Sequence, residues 1–152
     1  MELDPHVLHV ATRWLHVAAM ATAFGGALTV LALSVRPNGG TAAAVLGVAL
    51  RYEWMFWGAA GLLAMTGIGN LAAFGGALLG PATNWGTTLL LKLGSVLALV
   101  ILSLPRTLAV ARMSAQTRAT AAGSVVTLRN LYGATASAFA VILAFAIWLA
   151  HG

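Results

Sequence analysis

Four long apolar stretches, each near the length of a membrane-crossing helix, constrain the fold of this chain more than any other feature. About 20 consecutive apolar residues are needed to cross the hydrocarbon core of a bilayer. Of the 152 residues, 61% are hydrophobic and only 7% are charged, whereas soluble domains carry roughly 25% charged residues. The sequence therefore predicts an all-α, polytopic membrane protein with a single domain, a bundle of four transmembrane helices.

Turn signals separate the four predicted spans. They cover residues 8–35, 54–74, 86–104 and 130–150. Asp4 and Pro5 form a helix start, and the Pro-Asn-Gly-Gly run after Arg36 ends the first helix. Residues 42–51 are expected to extend the second helix outside the lipid core. Pro105 is expected to kink or end the third helix, so that 106–129 form a polar connection.

The distribution of cations predicts the orientation of the bundle. The first and third connections carry most of the arginines: Arg36, Arg51, Arg106, Arg112, Arg118 and Arg129. Cytoplasmic loops are enriched in Lys and Arg, so both termini are predicted to be extracytoplasmic, in the inner membrane of a prokaryote. The net charge of +5 is spread along the membrane edges and does not indicate nucleic-acid binding. Glu53 is interpreted as a structural residue neutralised by an arginine at 51, 112 or 129.

The first span carries ionisable residues that lipid tolerates poorly. His9, Arg13, His16 and Met20 follow each other at steps of three and four, which places them on one helix face. A charged side chain near the bilayer centre costs at least ~2.5–3.5 kcal/mol, so such residues usually face the bundle interior and mark a site. This face is therefore the first candidate for function.

Counting residues inward from the outer surface predicts which side chains can meet. His16 lies seven residues inside His9, about 10 Å along a helix axis. Lys92, on the third span, is predicted at the same depth as His16. His151, at the end of the fourth span, is predicted near His9. Thr66 and Asn70 of the second span approach the same outer half.

Two cofactors fit residues of these types. Two imidazoles on facing helices can hold a haem iron, and imidazole with thioether suits the cuprous ion. A cationic lysine or arginine suits a haem propionate. The sequence contains no cysteine and therefore no thiolate ligand. The candidate cofactor-binding residues are His16, Lys92, His9, His151 and Arg13. The candidate metal ligands are His16, His9, His151 and Met20.

Two short segments resemble a known family. The Trp-Leu-His sequence at 14–16, followed by Phe-Gly-Gly at 24–26, resembles the first span of the copper-resistance D (CopD) family. The Leu-Lys-Leu-Gly segment at 91–94 resembles an element of a later span in that family. HemJ-type protoporphyrinogen oxidases are similar at both places. The resemblance implies a small helical bundle that binds haem b, with this histidine and this lysine as its functional pair.

Three functional hypotheses remain open. The first is a haem b protein that passes electrons between quinone and an extracytoplasmic redox partner, as an oxidoreductase or a subunit of one. The second is a copper-binding or copper-transport protein with an outer relay of histidines and Met20. The third is an accessory subunit of a larger membrane complex without its own cofactor. The chain lacks the His-rich and Met-rich strings expected of a copper relay, which favours the haem hypothesis.

Overall fold

Four long α-helices form the fold. The computed structural model describes residues 4–36, 41–72, 83–115 and 121–151, without the side chains of 5, 70–72, 121–124 and 150–151. The helices are α1 (Pro5–Val35), α2 (Ala42–Ala72), α3 (Asn84–Ala115) and α4 (Ala121–His151). The predicted all-α, four-helix architecture is confirmed.

Most of the described helical surface is compatible with a bilayer. Three segments within the described residues are long and apolar enough to cross a membrane: His6–Val35, Asn84–Ala115 and Val125–Leu149. Helix α2 is equally long and carries Arg51 and Glu53 in its first half. The predicted second span ends at residues 73 and 74, which lie outside the described residues.

Polar side chains define where α1 and α2 begin. The Asp4 carboxylate accepts a hydrogen bond from the His6 backbone N–H at 2.9 Å, and Pro5 occupies the first turn. Thr41 caps α2, because its Oγ1 accepts a bond from the Ala44 backbone N–H at 3.3 Å. Such bonds satisfy N–H groups that have no partner within the helix. Residues 42–51 belong to α2, as the sequence predicts.

The predicted polar connection at 106–129 is wrong. Helix α3 continues through Pro105 to Ala115, and α4 begins at Ala121. Proline removes one backbone hydrogen bond and usually kinks or ends a helix. In α3 the packing face continues past the proline, since Ser103, Arg106 and Val110 are all buried at steps of three and four. These tertiary contacts outweigh the local signal for a helix end.

The helices pack as an antiparallel bundle in which α1 and α3 lie across from each other. Helix α1 packs against α2 and α4, and α3 packs against the same two helices. We call the end where α1 and α3 end and α2 and α4 begin the loop end. The opposite end, with the first turn of α1 and the last turn of α4, is the termini end.

The apolar core lies mainly in the loop-end half. Its largest fully buried residues all lie there: Tyr132, Phe56, Leu128, Val30 and Val110, together with the polar Ser103. Toward the termini end, none of residues 6–18 of α1 is buried, and none of residues 87–98 of α3 is buried. The bundle is therefore tightly packed in one half. In the other half these stretches of α1 and α3 have only exposed or half-buried residues, and we call it the open half.

Candidate functional site

A buried ion pair joins α2 to α3 within the packed half. Arg106 Nε donates to Glu53 Oε1 at 2.9 Å, and Arg106 Nη2 donates to Glu53 Oε2 at 3.1 Å. The two side chains are only 2% and 6% exposed. A guanidinium that binds both carboxylate oxygens forms one of the stronger and more directional contacts in proteins.

Neighbouring side chains satisfy the rest of this pair. The Tyr132 hydroxyl donates to Glu53 Oε1 at 2.6 Å, and the Thr107 hydroxyl donates to Oε2. Arg106 Nη1 donates to the Thr135 hydroxyl at 3.0 Å. The guanidinium also lies over the ring of Phe56. With four donors on its two oxygens, the carboxylate is held in place and has no free position for a ligand.

The arginine that neutralises Glu53 differs from the predicted ones. Arg51, Arg112 and Arg129 are all exposed, whereas Arg106 is buried and stacks 4.4 Å from the centroid of Phe56. The prediction placed Arg106 in the same polar connection as Arg112 and Arg129 but did not select it. Its spacing from Ser103 and Val110 was the available signal, since that spacing continues one face of α3.

The open half contains the first of the predicted ligands. His16 is half-buried on α1, and its Nδ1 lies 2.8 Å from Oγ1 of the buried Thr66 on α2. The Thr66 hydroxyl donates to the Leu62 carbonyl at 2.7 Å. Gly67 of α2 also lies beside the imidazole. A Cβ at that position would lie 3.7 Å from Cε1 of His16.

Lys92 lies in the same half of the bundle as His16. It is half-buried on α3, the helix across from α1. This placement agrees with the depths counted from the sequence, while the role of the two residues as a functional pair stays a prediction.

The other candidate residues have separate environments. His9 and Arg13 are exposed on α1, and Met20 packs against the apolar core. The side chains of His151 and Asn70 lie outside the described residues. Among the side chains that the structure describes, no group of three or more His, Asp or Glu residues converges on a possible metal position.

These features define a class of protein: a four-helix membrane bundle with one ion-paired, packed half and one open half that holds an imidazole. A family model for copper resistance protein D (CopD) matches residues 46–149, and the chain belongs to this family. The match begins in the second turn of α2 and includes Glu53, Lys92 and Arg106 but not His16. No curated protein and no solved structure matches the chain.

The comparison confirms one part of the predicted resemblance. Membership of the CopD family is confirmed, whereas the relation to HemJ-type proteins stays a prediction. The Leu-Lys-Leu-Gly segment lies inside the matched residues, but the Trp-Leu-His segment at 14–16 precedes them. The functional role of α1 therefore depends on the geometry of this chain.

Proposed function

We propose that this CopD-family chain handles copper in a prokaryotic inner membrane and that His16 receives a cuprous ion as cargo. The observation that carries the proposal is the half-buried imidazole of His16, which Thr66 holds in the open half of the bundle. An ionisable residue within a membrane-spanning helix is energetically unfavourable, and such residues usually mark a functional site. The family name, which refers to copper resistance, supports the same metal.

One face of α1 supplies the donors that such a cargo needs. His9 is exposed, His16 is half-buried and Met20 packs against the core, so burial increases along this face. His16 lies about 10 Å inward from His9, and Met20 lies about 6 Å further, at 1.5 Å per residue. Imidazole and thioether are both ligands that copper accepts, and the thioether favours the cuprous state.

Charge supports an opening toward the extracytoplasmic side. The exposed arginines at positions 36, 51, 112 and 129 lie toward the loop end. Cytoplasmic segments next to membrane helices are rich in arginine and lysine. With the loop end in the cytoplasm, His9 and His16 lie in the outer half of the bilayer, where copper would enter from outside.

We expect the His16→Ala variant to lose at least about tenfold in cuprous-ion affinity, because the mutation removes the half-buried ligand. Affinity is measured by competition with a cuprous chelator on the purified protein in nanodiscs. His6→Ala is the matched control, since His6 is exposed in the first turn of α1, and its affinity should equal that of the wild type. Equal affinity in the wild type and His16→Ala would contradict the proposal.

One observation favours a second candidate, haem b in an electron-transfer protein that exchanges electrons with quinone or another redox subunit. Lys92 is half-buried in the same half of the bundle as His16, and a lone copper cation gains nothing from its ammonium. Haem b contains an iron that an imidazole can coordinate, and it carries two propionate carboxylates. Lys92 and Arg13, one turn from His16, are cations of the kind that bind such propionates.

An absorption spectrum separates the two candidates. If haem b is bound, the purified protein should show a Soret band that shifts on reduction with dithionite and is lost in His16→Ala. If copper is the cargo, this band is absent and elemental analysis finds copper in the wild type. Neither haem nor copper in the wild type would contradict both proposals and favour the accessory-subunit hypothesis.

A further inference from the structure

The hydrogen bonds around Thr66 determine which nitrogen of His16 carries a proton. A threonine hydroxyl has one hydrogen to donate, and it can accept through its lone pairs. The Thr66 hydroxyl directs that hydrogen to the Leu62 carbonyl, 2.7 Å away on the preceding turn of α2. Toward His16, at 2.8 Å, it is therefore an acceptor. The imidazole must donate from Nδ1.

A neutral imidazole that donates from Nδ1 has its lone pair on Nε2. The Nδ1–Cε1 edge of the ring faces α2, because Nδ1 contacts Thr66 and Cε1 lies near Gly67. The edge that includes Nε2 is then the one available to a ligand in the open half of the bundle. Without a hydrogen-bond acceptor at Nδ1, both tautomers of the neutral imidazole would be populated.

We infer that Thr66 is a positioning residue that fixes His16 in the Nδ1–H tautomer and presents Nε2 to the cargo. Metal-binding histidines usually donate their second N–H to a fixed acceptor, which sets the tautomer and the ring orientation. Here the acceptor is a hydroxyl on a neighbouring helix, itself held by a backbone carbonyl. The part that concerns copper rests on the proposed function, whereas the tautomer is a property of the protein without cargo.

Nitrogen-15 NMR of the labelled full chain in nanodiscs tests the tautomer directly. The His16 resonances are assigned by their loss in His16→Gln and are recorded at a pH at which the ring is neutral. We expect a protonated Nδ1 and an unprotonated Nε2 in the wild type. Thr66→Val should convert this to a mixture of tautomers, and Thr66→Ser, which keeps the hydroxyl, should retain the wild-type pattern.

Thr22→Val is the matched control. Thr22 makes the same kind of bond to its own helix, from its hydroxyl to the Ala18 carbonyl at 2.8 Å, but it is exposed. Its removal should leave the His16 spectrum unchanged. A wild type that carries its proton on Nε2 would overturn the inference, and so would a Thr66→Val variant with an unchanged tautomer.

Copper titration separates this inference from the proposed function. Loss of an outer-shell partner commonly costs 10–100-fold in metal affinity, so Thr66→Val should bind cuprous ion about 10–100-fold more weakly than Thr22→Val. Equal affinities would overturn the positioning role. A wild type that shows the expected tautomer and its loss in Thr66→Val, but binds no copper, would refute the proposed cargo and leave the role of Thr66 in the tautomer supported.

Discussion

Replacing Arg106 with methionine is expected to destabilise the folded bundle by about 3–5 kcal/mol, the usual effect of removing one partner of a buried ion pair. Methionine fills much of the volume but leaves the Glu53 carboxylate as an uncompensated charge in the core. The mutation also removes the Arg106 Nη1 group, which donates a hydrogen bond to the Thr135 hydroxyl at 3.0 Å. The large effect arises more from the unpaired, buried charge of the Glu53 carboxylate than from the lost contacts of Arg106.

Urea unfolding of the purified protein in detergent, followed by circular dichroism, measures this difference. Arg112→Met is the matched control, because Arg112 lies on the same helix but is exposed, and surface substitutions usually change stability by less than about 0.5 kcal/mol. The double variant Glu53→Gln/Arg106→Met should recover part of the loss, since no buried charge remains. If Arg106→Met is as stable as Arg112→Met, the pair is not a structural element.

Much of the fold is predictable because its signals are local. Apolar runs long enough to cross a bilayer, the Asp4–Pro5 start and the Thr41 cap all act within a few residues of the element that they define. The end of α3 is different. Pro105 predicts a kink or an end of the helix by local rules, whereas α3 continues past it with Ser103, Arg106 and Val110 on one buried face.

The candidate site was likewise predictable only in part. Counting residues along helices places His16, Thr66 and Lys92 in one half of the bundle, because depth follows from the rise per residue. The partner of Glu53 does not follow from depth alone. Several arginines lie toward the loop end, and the choice among them depends on how each helix is rotated about its axis, which a single sequence does not specify.

The two halves of the bundle have different physical characters. In the loop-end half, Glu53 and Arg106 are saturated with partners and surrounded by aromatic rings, which fixes α2, α3 and α4 relative to one another. In the termini-end half, α1 and α3 bury no side chain over 6–18 and 87–98. A ligand that binds at His16 would therefore lie away from the contacts on which the fold depends.

The adjacent glycines 25 and 26 provide a second test of the packed half. A Cβ at Gly26 would lie 2.6 Å from Cδ2 and 2.8 Å from Cε2 of Tyr52, whereas a Cβ at Gly25 would meet nothing within 4 Å. The Tyr52 ring cannot easily move. It is only 3% exposed, its hydroxyl donates to the Ala23 carbonyl at 3.0 Å, and it packs edge-on against Tyr132.

Gly26→Ala is therefore expected to destabilise the bundle by about 1–3 kcal/mol, the usual effect of overpacking a core. Gly25→Ala should be neutral or stabilising by up to about 1 kcal/mol, because alanine favours the helix. The same urea unfolding experiment measures both. In a Tyr52→Leu background the cost of Gly26→Ala should fall, since the obstructing ring is gone, and this coupling identifies the contact. Equal stabilities of the two alanine variants would show that α1 and α2 do not approach each other at Gly26.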